Sequence, residues 1–318
     1  MNISFIIITN GKNDKKLLLQ IKSIEYQKID SFEIIIVGIL SDKVLEYCKN
    51  NPNILLIKDK ENANNGSLGA LRNKAANAST KDYLVISDDD MLFSLNWYEE
   101  LKTYYTDSDF EILTPCVKVP DGTRFWDHCC YMSPKHGHII LNPDQEDDHL
   151  YMSGGQSWIM KKAVWNKVKW DENLAIYNMK NLADYAANKH NEDTDYSLRC
   201  RENNIKILHN PNLLVYHNDA TYTSIGRVVR RRQNGADHHW CLDIKLHPNI
   251  INDIINVLMK NRADAEAIDL IRKLELDYPT SDASKVLLDI ENQMGGKLTN
   301  SKFSFNNKEY KDILERIS

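Results

Sequence analysis

Three adjacent aspartates, Asp88, Asp89 and Asp90, follow the apolar run Tyr83 to Ile86. Neighbouring anions repel one another, so a fold seldom gathers three of them without a cation nearby. Side chains of extended chain alternate in direction, which sends Asp88 and Asp90 one way and Asp89 the other. Two carboxylates on one side suit a hard divalent ion, Mn2+ or Mg2+, that prefers oxygen ligands and carries phosphates. A solvated acidic turn or a helix N-cap is the plainer explanation. A second acidic cluster, Glu192-Asp193-Thr194-Asp195, opens a helical stretch that also carries Arg199. The helix dipole favours carboxylates in a first turn, and that alone would account for Glu192 or Asp195. His217 closes a short apolar segment downstream, and Arg227-Val228-Val229-Arg230-Arg231-Arg232 follows between Gly226 and Gly235. Such a basic run is ordinarily a solvated face.

The elements that position these residues alternate. Asn2 to Thr9, Phe32 to Val37, Ile54 to Ile57 and Tyr83 to Ile86 read as strands, the first a continuous apolar run ending in Asn10-Gly11. Lys15 to Tyr26, Leu45 to Asn50 and Leu68 to Ala78 read as helices between them. Strand alternating with helix implies right-handed βαβ units and a doubly wound sheet. Ligands in such sheets bind at the carboxyl ends of the strands, where Asn10, Asn65 and Asp88–Asp90 all fall. Farther on, Asn96 to Tyr105 is an amphipathic helix and Ile112 to Val119 a strand. Residues 120–150 read as irregular and polar. Their His128, Cys129, Cys130, His136, His138 and His149 match no standard zinc spacing, so the segment is expected to be a loop shaping a pocket. Gly154-Gly155 lets backbone approach a ligand, and Ser157 to Met160 is a strand whose Trp158 either offers its aromatic face to a ligand or packs in the core. Lys162 to Val168 is a short helix. Ile205–Leu208 and Leu213–Tyr216 read as two strands around Asn210-Pro211.

The segment Asn65-Gly66-Ser67-Leu68-Gly69-Ala70-Leu71-Arg72-Asn73-Lys74-Ala75, a glycine turn entering a helix, precedes the aspartates. Together with Asp88-Asp89-Asp90 and Glu192-Asp193, it resembles the GT-A glycosyltransferases, particularly the inverting family 2, over about residues 1–220. The resemblance implies a GT-A fold: a Rossmann-like, doubly wound mixed sheet, here with a C-terminal α-helical appendage. It implies a nucleotide-sugar pocket of Thr9, Asn10, Gly11, Asn65, Arg72, Asp88, Asp89 and Asp90, with Arg227 and Arg230 in a mobile loop that folds over the diphosphate. It implies a divalent ion, Mn2+ or Mg2+, held by Asp88, Asp90 and His217. The Glu192-Asp193 pair matches the family's catalytic motif, with Asp193 as general base, and Gly154, Gly155 and Trp158 lie beside donor and acceptor. The implied donor is a nucleotide-diphosphate sugar, most simply a UDP-sugar carrying a hexosyl or N-acetylhexosaminyl group, and the acceptor a hydroxyl on a glycan or another molecule. One departure is visible: where the family places an acidic residue after the second strand, Gly38-Ile39-Leu40 stands here and Asp42 comes late.

The expected division is residues 1–245 as the glycosyltransferase domain and 246–318 as a helical region. In the first, 1–93 form the nucleotide-sugar half and 94–245 the acceptor and catalytic half. Ile250–Met259, Ala263–Leu276, Ala283–Asn292 and Lys308–Ile317 are its helices. Ala265–Pro279 faintly resembles half of a tetratricopeptide repeat, which cannot form a solenoid alone, so packing, partner docking or a homodimer is its expected role. A net charge of −5 argues against a protein built to coat nucleic acid. Six scattered cysteines do not read as a disulfide framework. No leader is visible and no apolar run approaches a membrane span, so the cytoplasm or the periphery of a membrane is expected. Two rivals stand beside the transferase. A nucleotidyltransferase would need a Gly-rich basic loop, of which Asn10-Gly11-Lys12 is a poor version. A silent carbohydrate-binding scaffold would have no use for two acidic clusters and His217.

Overall fold

The computed structural model describes residues 1–120, 122, 127–133, 137–140, 150–152, 156–174, 192–219 and 307–318. The chain divides into two compact units. Met1–Val117, Trp126–Asn218 and Glu309–Ser318 make the first, and Lys118–Phe125 and Asp219–Lys308 the second. The expected helices between 250 and 292 lie outside the described residues.

The first unit is built on alternating strands and helices: β1 (Asn2–Thr9), α1 (Asp14–Tyr26), β2 (Ser31–Gly38), α2 (Asp42–Cys48), β3 (Ile54–Lys58), α3 (Lys60–Asn65), α4 (Leu68–Ala78) and β4 (Tyr83–Ser87). Then come β5 (Met91–Phe93), α5 (Trp97–Asp107), β6 (Ile112–Lys118), β7 (His128–Ser133), β8 (Gly137–Ile140), β9 (Leu150–Met152), β10 (Gln156–Lys161), α6 (Lys162–Lys167), α7 (Glu192–Glu202), β11 (Ile207–His217) and α8 (Lys308–Ile317). Eight strands form one sheet in the order β3-β2-β1-β4-β10-β6-β11-β5. The first four are parallel. β10 runs antiparallel to β4 and β6, and β5 antiparallel to β11. The sheet is therefore doubly wound and mixed, as expected.

Both faces of its centre are covered, which is why β1 is apolar along most of its length: Ile3, Phe5, Ile6 and Ile7 have no exposed surface. Each such side chain contributes roughly 1.5–3 kcal/mol of burial. On one face Leu71, Ala75 and Ala76 of α4 pack with Trp158, Trp165, Trp170 and Tyr196. On the other, Phe5, Phe93 and Trp97 meet ring to ring at 4.8–5.7 Å. Helix α8 seats Ile313 and Ile317 on Leu92, Leu214 and Tyr216 at the β11–β5 edge.

Three local readings differ from the structure. Residues 120–150 are not simply irregular: β7, β8 and β9 form a three-stranded antiparallel sheet, which polar alternation had hidden. Pro211 does not divide two strands, and β11 runs through it. The chain before it lies beside β6 and the chain after it pairs with β5. The missing N–H of the proline thus falls between two ladders. Met91–Phe93, directly after the aspartates, is a strand in its own right. Among the described residues, no helix is long and apolar enough to cross a membrane.

Candidate active site

The carboxyl end of β1 sets one wall. The Thr9 hydroxyl donates to Asp89 at 2.5 Å and accepts from the Gly11 N–H at 3.0 Å, while Asn10 Oδ1 accepts from the Lys12 N–H. Thr9 pairs with Gly38 of β2. Gly38 has φ +139°, and a Cβ there would lie 1.9 Å from the Thr9 carbonyl oxygen. A side chain at position 38 would therefore collide with the end of β1. Asp59 arrives beside Gly38. Its N–H donates to the Gly38 carbonyl, and its buried carboxylate caps α3 through Asn62 and pairs with Lys74 of α4. Gly66 then ends α3 in the left-handed conformation, φ +67°, and turns the chain into α4. Asn65 is the last residue of α3 and partly exposed.

The three aspartates occupy the turn between β4 and β5, and each has a different neighbour. Asp89 is buried and turned back to β1, where Thr9 and the Asn13 amide (2.9 Å) engage both its oxygens. Burial pushes its carboxyl up, and these two hydrogen bonds oppose that. Asp90 lies between Lys16 Nζ at 3.5 Å and His217 Nε2 at 3.7 Å. The strand pairing explains the second contact. β11 places His217 opposite Met91, and the next residue, Asn218, donates its N–H to the Asp90 carbonyl at 2.7 Å. Asp88 keeps 38 % of its side chain open and faces Arg72 Nη2 at 3.4 Å. Its carboxyl is pushed up to about 6, chiefly by burial, with Asp90, Glu192 and Asp89 adding to the shift and Arg72 opposing it.

Arg72 is the pivot. Its side chain is 1 % exposed, on the inner face of α4, and its Nη1 donates to Glu192 Oε1 at 3.1 Å. The guanidinium lies 5.7 Å from the Trp158 ring and 6.0 Å from Trp170. These rings stack with Tyr196, at 4.2 Å from Trp170. Burial alone would weaken the cation, but the negative charges of Glu192, Asp88 and Asp193 outweigh it and hold the guanidinium charged. One buried cation thus joins the acidic turn after β4 to the acidic first turn of α7. Glu192 and Asp193 are both buried. The Asp193 backbone carbonyl accepts from Ser197 Oγ at 2.7 Å inside the helix, and Arg199 pairs with Asp195 on its outer side.

Other singled-out residues are placed differently. Trp158 is 1 % exposed and stacked in the core, so it supports Arg72 and offers no face to a ligand. Asn73, next to Arg72 in the motif, is taken up by structure. Its amide donates to Trp170 O and Glu172, and its oxygen accepts from Trp165 Nε1 and Trp170 N. Gly154, Gly155, Gly226, Arg227, Arg230, Gly235, His136 and His149 lie outside the described residues. The sequence reading missed Asn13, the residue before α1, and Lys16, in its first turn; their only signal was their place just past the end of β1.

Residues 4–167, more than half of the chain, match the model of glycosyl transferase family 2. The chain belongs to that family. Among solved structures, S. aureus TarS aligns over 99 % of this chain and 55 % of its own, at 14 % identity and a TM-score of 0.50. TarS residues 1–349 in complex with UDP align at 13 % identity and a TM-score of 0.49, over 99 % of this chain and 90 % of that one. The mannosyltransferase PcManGT from Pyrobaculum calidifontis, in complex with GDP-Man and Mn2+, aligns at 11 % identity and 0.47, over 99 % and 79 %. At such identities the likeness is one of fold. No curated protein matches the chain. The family 2 transferase therefore carries a GT-A sheet, with Thr9, Asp88–Asp90 and Arg72 inside the matched span and Glu192, Asp193 and His217 beyond it.

Proposed function

We propose that this transferase moves a sugar from a nucleotide-diphosphate donor to an acceptor hydroxyl with inversion, using Asp193 as general base. The observation that carries the proposal is Arg72. Its guanidinium ties Asp88, on the donor side of the sheet, to Glu192, the residue before Asp193. Glu192 holds Arg72, and Asp193, the next residue of the motif, is the proposed base. As the acceptor oxygen attacks the anomeric carbon, Asp193 takes its proton. Base and departing diphosphate lie on opposite faces of the sugar, so one displacement inverts the centre and no covalent intermediate forms.

The donor set fits a divalent ion. Asp88, Asp90 and His217 supply two carboxylates and an imidazole, and a cation would offset both the burial that chiefly raises Asp88 to about 6 and the neighbouring carboxylates that add to it. Among the described residues no three metal-binding side chains form a ready-made cage. A hard ion at a diphosphate site takes part of its shell from phosphate oxygens and water, so one or two carboxylates suffice. When bound, Mn2+ or Mg2+ supplies positive charge against the departing diphosphate. Thr9, Asn10, Gly11 and Asn65 line the nucleoside end, with a UDP-sugar as the proposed donor.

A panel of nucleotide sugars, each with and without Mn2+, tests the reading by thermal shift. A donor at ~100 times its dissociation constant adds ~2.7 kcal/mol. Asp193→Asn should then lower turnover by about two to four orders of magnitude, the range of general-base contributions, with donor affinity unchanged. Near-normal turnover in that variant would remove Asp193 from the chemistry.

A further inference from the structure

The edge of the sheet that carries His217 is closed from outside by helix α8. The chain leaves the first compact unit after Asn218 and rejoins it at Glu309. These two points are tied directly, because the Tyr310 hydroxyl donates to Asn218 Oδ1 at 2.5 Å. Asn218 in turn gives its backbone N–H to the Asp90 carbonyl at 2.7 Å. One residue thus takes a hydrogen bond from the C-terminal helix and passes one to the aspartate turn. A second strut lies alongside: the Tyr216 hydroxyl donates to Glu309 Oε2 at 3.0 Å, and the Tyr216 and Tyr310 rings meet at 5.4 Å. Below them Ile313 and Ile317 are buried against Leu92, Leu214 and Tyr216. The last turn is fixed separately, by Arg316 Nη1 to the Tyr26 hydroxyl at 3.2 Å.

We propose that Tyr310 is a positioning residue: acting through Asn218, it fixes where the Asp90 turn and His217 stand relative to each other. This rests on the reading of Asp90 and His217 as ion-holding groups. The geometry favours a positioning role over plain packing. The apolar residues of α8 already anchor the helix, whereas the hydroxyl touches the one residue between His217 and the end of the unit. Burial also pushes the Tyr310 phenol up to about 12, so it stays a donor throughout the working pH range. Outer partners of metal-holding side chains act in this way, by limiting the orientations the inner groups sample.

The test uses the full chain and Mn2+ alone, followed through the free-ion signal in electron paramagnetic resonance, and then Mn2+ with UDP. Tyr310→Phe keeps the ring on Tyr216 and removes only the donor. It should weaken Mn2+ binding about tenfold, the low end for loss of an outer partner. Asn218→Ala should match it, and the double variant should lose no more than either single one. Arg316→Gln, which releases a contact at the other end of the helix, should bind Mn2+ as the parent does. Unchanged binding in Tyr310→Phe, or an equal loss in Arg316→Gln, overturns the proposal. A readout without metal separates this inference from the one it rests on. The His217 imidazole nitrogen resonances, assigned with His217→Gln, should move in Tyr310→Phe and Asn218→Ala but not in Arg316→Gln. If the parent takes up no Mn2+ yet these resonances move, the ion assignment falls and the positioning role stands. If they do not move, the positioning role is wrong.

Discussion

Replacing Arg72 with methionine probes the joint between the two acidic clusters most directly. Methionine fills much of the same space with an apolar side chain, so the variant removes charge and hydrogen bonds more than volume. Three losses follow from the structure. Glu192, 7 % exposed, loses the guanidinium at 3.1 Å and becomes a buried carboxylate without that partner, a change that costs roughly 3–5 kcal/mol when one member of a buried pair is removed. Asp88 also loses the cation at 3.4 Å, but 38 % of its side chain is open, and the longer contact adds at most about 1 kcal/mol. The cation over Trp158 and Trp170 is lost too, and a thioether against the same rings restores roughly 0.3–1.5 kcal/mol of it. The net expectation is about 3–5 kcal/mol, against a total stability on the order of 5–15 kcal/mol.

The assay is urea unfolding followed by near-ultraviolet circular dichroism, because Trp158 and Trp170 flank the substituted side chain and report on it directly. A cycle with Glu192→Leu isolates the pair. The single Glu192→Leu leaves a buried guanidinium without its nearest carboxylate, facing Asp88 and Asp193, whereas Arg72→Met with Glu192→Leu leaves neither member of the pair. The double variant should therefore be more stable than Arg72→Met by about 2 kcal/mol, with a coupling energy of about 1–3 kcal/mol. A loss below about 1 kcal/mol in Arg72→Met, or strict additivity in the cycle, would refute the claim that one buried cation holds both clusters.

Three further outcomes are expected. Divalent-ion-dependent donor binding should weaken as pH falls through about 6, because Asp88 protonates there and a neutral carboxyl no longer attracts a cation. In the ligand-free protein the sign is opposite. The raised carboxyl makes a stability contribution that is present below its ordinary value of 3.8 and is lost as pH rises through about 6; chemical denaturation across that window should show it in the parent and not in Asp88→Asn. Asp90→Asn should weaken Mn2+ and nucleoside diphosphate binding together while the melting curve holds, and equal transfer activity of the parent in excess EDTA would remove the ion from the scheme. Gly38→Ala should cost about 3 kcal/mol or more, since it combines a φ of +139° with a Cβ 1.9 Å from the Thr9 carbonyl; a variant as stable as the parent would show that the β1–β2 end is not so tightly closed.

Much of the scaffold could be read in the residues because its strands are buried on both faces. β1, β2 and β4 are largely apolar runs without breakers, and β1 and β4 end in polar residues at the carboxyl edge of the sheet. The parts that could not be read depend on partners remote in the chain. β5 is three residues long, too short for any periodicity, and exists because β11 pairs with it from more than a hundred residues away. The same pairing brings His217 to Asp90. The contact of Arg72 with Glu192 spans 120 positions and depends on where α7 docks, which nothing local to either residue reveals.

Motifs are written as strings, yet the backbone separates their neighbours. Arg72 and Asn73 stand about 100° apart around α4, given 3.6 residues per turn. Arg72 turns to the two acidic clusters, and Asn73 turns to the segment from Trp165 to Glu172. The aspartate turn divides in the same way. Asp89 is engaged by Thr9 and Asn13 at the end of β1, whereas Asp88 pairs with Arg72 and Asp90 with Lys16 and His217. In each case neighbouring residues of one motif are turned to different partners. Substituting Asn73 or Asp89 should therefore damage folding as much as activity, so loss of activity alone cannot assign either of them to the ligand.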